Sequence, residues 1–102
     1  MELISVSGAY TGKTPLEVKR NILTAEEYSV ELIKKGYGVF TPHKNFAGYE
    51  AYGISWDTIM KICLEFNKRL DSLASMPNWK SSRGGTIEHE RALEWGKQII
   101  YL

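Results

Sequence analysis

The sequence predicts a parallel α/β domain. Three observations carry this: short apolar, strand-prone runs recur between longer amphipathic segments, each run ends in a turn-rich loop, and the longer segments open and close with helix-capping residues. The most economical order is β-α-β-α-β-α-β, a compact parallel sheet flanked by helices within a single domain over residues 1–102.

Leu3–Ser7 reads as the first strand, and Gly8–Lys13 as a compact loop after it. Thr14 is suited to cap a helix, Pro15 to its first position, and Glu17 to the reciprocal place three residues after the cap. Val18, Ile22, Ala25, Ser29 and Leu32 then follow a helical period, with Ser29 the imperfect member, and Gly36 is placed to end the helix. Tyr37–Thr41 makes a second strand stopped by Pro42, which leaves His43 at its end. Lys44–Ile54 has no clean period and reads as a loop or lid. A second long helix begins after Ser55, its apolar face traced by Ile59, Ile62, Cys63, Phe66 and Leu70, so Cys63 reads as core. Ser72–Met76 before Pro77 is the third strand, although its strand propensity is weak. Pro77–Gly85 is a turn-rich loop, Thr86–Trp95 a helix ended by Gly96, and Gln98–Leu102 the last strand.

Composition narrows the function classes. Hydrophobic residues are 43% and charged residues 25% of the 102, which is ordinary for a globular domain and argues against disorder. Thirteen basic against twelve acidic residues leave a charge of +1, too little for broad recognition of polymeric nucleic acid or an anionic membrane. A single cysteine forms no internal disulfide, and no clustered Cys/His pattern points to zinc, so a cytoplasmic protein without metal or cofactor is expected. The acidic second residue and short first apolar run do not suit a signal peptide, and no run approaches membrane-spanning length. A domain this small gains from burying surface against a second copy, so a homo-oligomer is expected.

In parallel α/β domains, ligands bind outside the carboxyl ends of the strands, where loops and helix N-termini supply donors. SGAYTG, the loop opening at His43, the segment after Asp71 and SSRGGTIE are the four segments expected to converge there. SGAYTG lacks both the GxxxxGK[ST] and the GxGxxG spacing, which argues against an ATPase or a dinucleotide site. In SSRGGTIE, Ser82, Gly84 and Gly85 offer hydroxyl and amide donors to a phosphate and Arg83 a charge, unless the segment is only a helix-start turn with Arg83 in solvent. Glu88, placed in the first turn of the last predicted helix, is expected to be ionised and able to attack an anomeric carbon as a nucleophile. A capping or surface role is the competing reading. His89 and Glu90 point elsewhere on that helix.

ISVSGAYTG, VFTPH at Val39–His43, the segment from Ser55 to Asp71 and MPNWKSSRGGTIEHERALEWG together span almost the whole chain. In these motifs the sequence resembles a small bacterial and phage family related to nucleoside 2-deoxyribosyltransferases and deoxynucleoside monophosphate N-glycosidases. The resemblance implies a Rossmann-like, flavodoxin-like sheet and a nucleotide or nucleoside as ligand. Glu88 matches the glutamate nucleophile, and Ser82 the phosphate-contacting serine of the monophosphate glycosidases, where base-exchanging transferases often carry an acid. A hydroxyl can donate to phosphate whereas a carboxylate would repel it, so Ser82 ranks hydrolysis above transfer. Gly8, Tyr10 and Thr11 correspond to the opening ligand loop. Thr11 stands where some monophosphate glycosidases have arginine, and Lys13 or Arg83 is the candidate substitute.

Asp71 matches an aspartate at the start of the third strand. A further base-handling acid of the relatives falls near Cys63, leaving Asp57 as its candidate replacement. His43 resembles a site-edge histidine, and Gly84 joins Ser82 and Thr11 as a phosphate or sugar contact. Tyr10, Trp56 and Trp79 are candidate base-stacking rings, whereas Trp95 reads as packing. The leading expectation is therefore a deoxynucleoside 5′-monophosphate N-glycosidase. A nucleoside 2-deoxyribosyltransferase and a catalytically silent nucleotide-binding regulatory protein are the alternatives.

Overall fold

A computed structural model describes all 102 residues, Met1–Leu102. The elements are β1 (Leu3–Ser7), α1 (Pro15–Lys34), β2 (Gly38–Phe40), α2 (Pro42–Asn45), a 3-10 turn at Tyr49–Tyr52, α3 (Trp56–Arg69), β3 (Ser72–Ser75), a second 3-10 turn at Trp79–Ser81, α4 (Arg83–Glu94) and β4 (Gln98–Tyr101). All strands are parallel, in the order β2-β1-β3-β4. The predicted alternation of strands and long helices is present.

The chain leaves β1 toward β2 on one side and later reaches β3 on the other. This reversal of strand order opens a crevice at the carboxyl ends of β1 and β3. Side-chain alternation along the strands sorts the layers. Ile4, Val6, Ala74 and Met76 face α1 and form the main core with its Ala25 and Leu32. Ser5 and Ser7 therefore face the other way, toward α3 and α4. No helix is long and apolar enough to cross a membrane.

The start of α1 follows its sequence signals with one change. Thr14 accepts from the Glu17 N–H at 3.2 Å, but the Glu17 carboxylate accepts from the Lys13 N–H at 2.6 Å rather than from that of the cap residue itself. Ser29 is tolerated in the core because its hydroxyl donates to the Ala25 carbonyl at 2.7 Å and is 2.7 Å from the Thr41 hydroxyl. At the end of α1, Tyr37 N–H donates to Leu32 O and Gly36 N–H to Ile33 O, the paired bonds that a left-handed glycine permits.

Two segments differ from the sequence expectation. Lys44–Ile54 is more ordered than a plain loop: Pro42 both stops β2 and opens α2, and the Tyr49–Tyr52 turn follows. The last helix begins at Arg83 rather than Thr86, because Ser82 accepts the Gly85 N–H at 3.0 Å and makes SSRGG a capped first turn. Gly85 is needed there for close approach, since a Cβ would sit 2.8 Å from the Trp79 carbonyl oxygen. Gly85→Ala is expected to lower unfolding free energy by about 1–3 kcal/mol through this overpacking, measurable by urea denaturation.

Candidate functional site

The crevice holds a pocket of about 630 Å³. Its walls come from the loop after β1, from α2, from the Phe46–Ile54 lid, from α3 and from the start of α4. Of the residues singled out from the sequence, Gly8, Tyr10, Thr11, His43, Ser82, Gly84 and Glu88 all line it, as do Trp56 and Arg83.

Glu88 is the most constrained of them. It lies in the second turn of α4, buried at 7% exposure, with Oε1 accepting from the Ser7 hydroxyl at 2.8 Å and Oε2 from Asn67 Nδ2 at 2.5 Å. The expectation of a first-turn, ionised carboxylate needs correction. Because the helix starts earlier, Glu88 sits six residues beyond the cap, past the reach of the helix dipole, and burial outweighs the two hydrogen bonds. The carboxyl is pushed up to about 7. It is therefore divided between acid and carboxylate near neutral pH.

The other predicted acids are elsewhere. Asp71 is exposed at the amino ends of the strands, where its Oδ2 accepts from the Leu3 N–H at 2.8 Å, so its role is to tie β1 to the start of β3 at the end opposite the pocket. Asp57 is exposed on the first turn of α3 and does not line the pocket. Cys63 does line it, and burial together with the Glu88 charge pushes its thiol up to about 12, which keeps it neutral and inert. The second carboxyl in the pocket wall belongs to Glu50 on the lid, a residue that aperiodic sequence around Gly48 and Gly53 gives no reason to select.

His43 is an organising residue. Its Nε2 lies 3.2 Å from the Gly8 carbonyl and 3.1 Å from that of Ala9, and burial lowers its pKa, so a neutral ring with hydrogen on Nε2 holds the loop after β1. Gly8 must come close to the β3 end, because a Cβ would be 2.5 Å from Asn78 Oδ1. That same Asn78 oxygen accepts from the Ala9 N–H at 3.0 Å. Tyr10 latches this loop to the lid. Its hydroxyl donates to Glu50 Oε1 and accepts from the Gly48 N–H, both at 3.3 Å, and burial with the Glu50 charge raises its pKa.

Ser82, in the pocket wall, caps α4 as acceptor, which leaves its hydroxyl hydrogen free to donate. The adjacent first-turn amides have no intrahelical acceptor. Arg83 places its guanidinium carbon 4.5 Å from the centre of the Trp56 ring at the pocket wall. Lys13 and Trp79 do not line the pocket. Trp79 instead stacks on His89 with ring centres 3.9 Å apart, and His89 Nε2 is 2.7 Å from the Tyr101 hydroxyl. Trp95 is a half-buried C-cap residue.

Two residues that hold Glu88 escape sequence reasoning. Asn67 continues the buried face of α3 four residues after Cys63, where a polar side chain on an apolar period is the available signal. Ser7 is the last residue of β1, where its hydroxyl is indistinguishable by pattern from that of Ser5.

A family model described as a domain of unknown function, DUF4406, matches residues 3–101, and the chain belongs to that family. No curated protein matches it.

Proposed function

We propose that the chain hydrolyses the N-glycosidic bond of a deoxynucleoside 5′-monophosphate, with Glu88 as the nucleophile. The observation that carries this reading is the buried Glu88 carboxyl in the pocket wall, with one oxygen held by Ser7 and the other by Asn67. Fixed in this way, the group loses little orientational freedom on attack. A carboxylate oxygen forms a bond to C1′ while the C1′–N bond breaks and its electron pair leaves with the base. The departing nitrogen takes a proton from water. Water then attacks C1′ of the ester, giving deoxyribose 5-phosphate and restoring Glu88. Ser82, Gly84 and Thr11 hold phosphate or sugar, and Tyr10 and Trp56 present rings to the base.

Silent nucleotide binding is the second reading. It draws on the elevated Glu88 pKa and on the absence of Asp57 and Asp71 from the pocket.

Chromatography of free base after incubation with deoxynucleoside monophosphates and deoxynucleosides, with and without acceptor bases, separates the cases. Base released from monophosphates without acceptor supports hydrolysis. Exchanged nucleosides formed only with acceptor move the reaction to deoxyribosyl transfer, and bound nucleotide without product favours the silent protein. Ser82→Ala is expected to weaken monophosphate binding about tenfold while leaving nucleoside binding within about twofold, because only the phosphate loses a donor. Loss of the cap costs about 1 kcal/mol of stability, so affinities are compared well below the unfolding transition.

A further inference from the structure

We propose that the outward face of α1 is an interface for a second copy of this chain, arranged as an antiparallel helix pair. Leu16, Leu23 and Val30 recur every seven residues, nearly two full turns, and so form an almost straight stripe along this 20-residue helix. They are 56%, 51% and 44% exposed. The sheet is met by a different face, through Ala25, Ser29 and Leu32, and the apolar stripe lies outside the buried core.

The charges beside the stripe specify the occupant. Arg20 follows Leu16 by four residues and Glu27 follows Leu23 by four, which puts both along the same edge. Both are exposed, and neither belongs to an ion pair, whereas Glu26 is bridged to Lys44 and Glu31 to Lys34. A two-fold axis passing beside Leu23 lays Leu16 of each copy toward Val30 of the other and sets each Arg20 against the opposite Glu27. In a parallel pair the two-fold runs along the helices, so this edge would meet the other edge of the second copy instead, Arg20 facing the partner's Lys19 and Glu27 the partner's Glu26, like charges in each case. The stripe is thus self-complementary in one orientation only.

One helix from each copy makes a contact at the small end of specific interfaces, so association in the micromolar range is expected. Sedimentation analysis of the full chain from about 1 to 500 µM tests this, with circular dichroism to check that each variant is folded. Glu27→Arg places like charges together twice and is expected to weaken the dimer at least about tenfold, and Leu23→Glu, at the axis, to abolish it. The double change Arg20→Glu with Glu27→Arg restores the opposed charges and is expected to return the dissociation constant to within about threefold of the original. A chain that stays monomeric throughout the range, a dimer indifferent to Glu27→Arg, or a double variant that fails to recover would each overturn the proposal. The first outcome would leave the stripe to a different protein partner.

Discussion

Unfolding free energy is expected to fall by about 3 kcal/mol as pH rises from below 4.5 to above 7, as a specific contribution of Glu88. The carboxyl has an ordinary value of 4.5 and is pushed up to about 7 by burial in the folded protein. The native state therefore holds the proton more tightly than the unfolded chain, and the slope of stability with pH is negative between the two values. Below 4.5 both states are protonated and the contribution is complete. Above about 7 both are ionised and it is gone. The elevation, from 4.5 to about 7, corresponds to about 3 kcal/mol at 1.36 kcal/mol per pH unit. Urea unfolding of the original chain and of Glu88→Gln across this range isolates the effect, since the substituted amide does not titrate and the other carboxyl groups are common to both. A difference between the two proteins that does not change with pH would mean that Glu88 has its ordinary pKa.

The same substitution is expected to reduce base release from a deoxynucleoside monophosphate by about 10³-fold or more while leaving nucleotide affinity within a few-fold. The amide is nearly isosteric, and its oxygen can still accept from Asn67 Nδ2 or the Ser7 hydroxyl. What it loses is the anionic oxygen proposed to bond to C1′. Affinity should persist because the other groups that line the pocket, among them Ser82, Gly84 and Tyr10, are unchanged. Isothermal calorimetry for binding beside chromatography for turnover reads the two separately. In the intact protein, activity is expected to rise through about pH 7, as Glu88 loses its proton, which is the reverse of its effect on stability. Nucleophilic reactivity and stability thus draw on opposite protonation states of one buried carboxyl.

Local chemistry makes most of the fold legible. Thr14, Pro15 and Glu17 announce the start of α1, and the period from Val18 to Leu32 marks its buried face. Even β3, weak in strand propensity, is a strand because it is paired on both edges, by β1 and β4, and buried along its length. The start of α4 is harder to locate. Consecutive glycines resemble a turn, but the Ser82 cap on the Gly85 N–H, with Gly85 close against the Trp79 carbonyl, makes them open a helix. That shift of three residues changes the expected electrostatics of Glu88 from dipole-stabilised to burial-dominated.

Legibility at the pocket follows sequence distance. Loop residues from Gly8 to Thr11, and Ser82 to Glu88 at the start of α4, form local groups, and they meet because β1 and β3 are neighbours. Ser7 and Asn67 become recognisable only when tertiary packing brings them to Glu88 across 81 and 21 residues. Motif position alone puts Asp71 at the wrong end of the sheet, because a strand start lies opposite the carboxyl-end crevice.

Whether Glu88 bonds to C1′ is recorded in the configuration of a trapped product. In water containing methanol, part of the proposed glycosyl-Glu88 ester is expected to be captured as a methyl deoxyriboside phosphate, which does not mutarotate. Two displacements at C1′ predict retention, so proton NMR should show the β-methyl glycoside from a β-nucleotide, with its formation lost in Glu88→Gln. The inverted α-glycoside, or the same product from both proteins, would rule out Glu88 as the nucleophile.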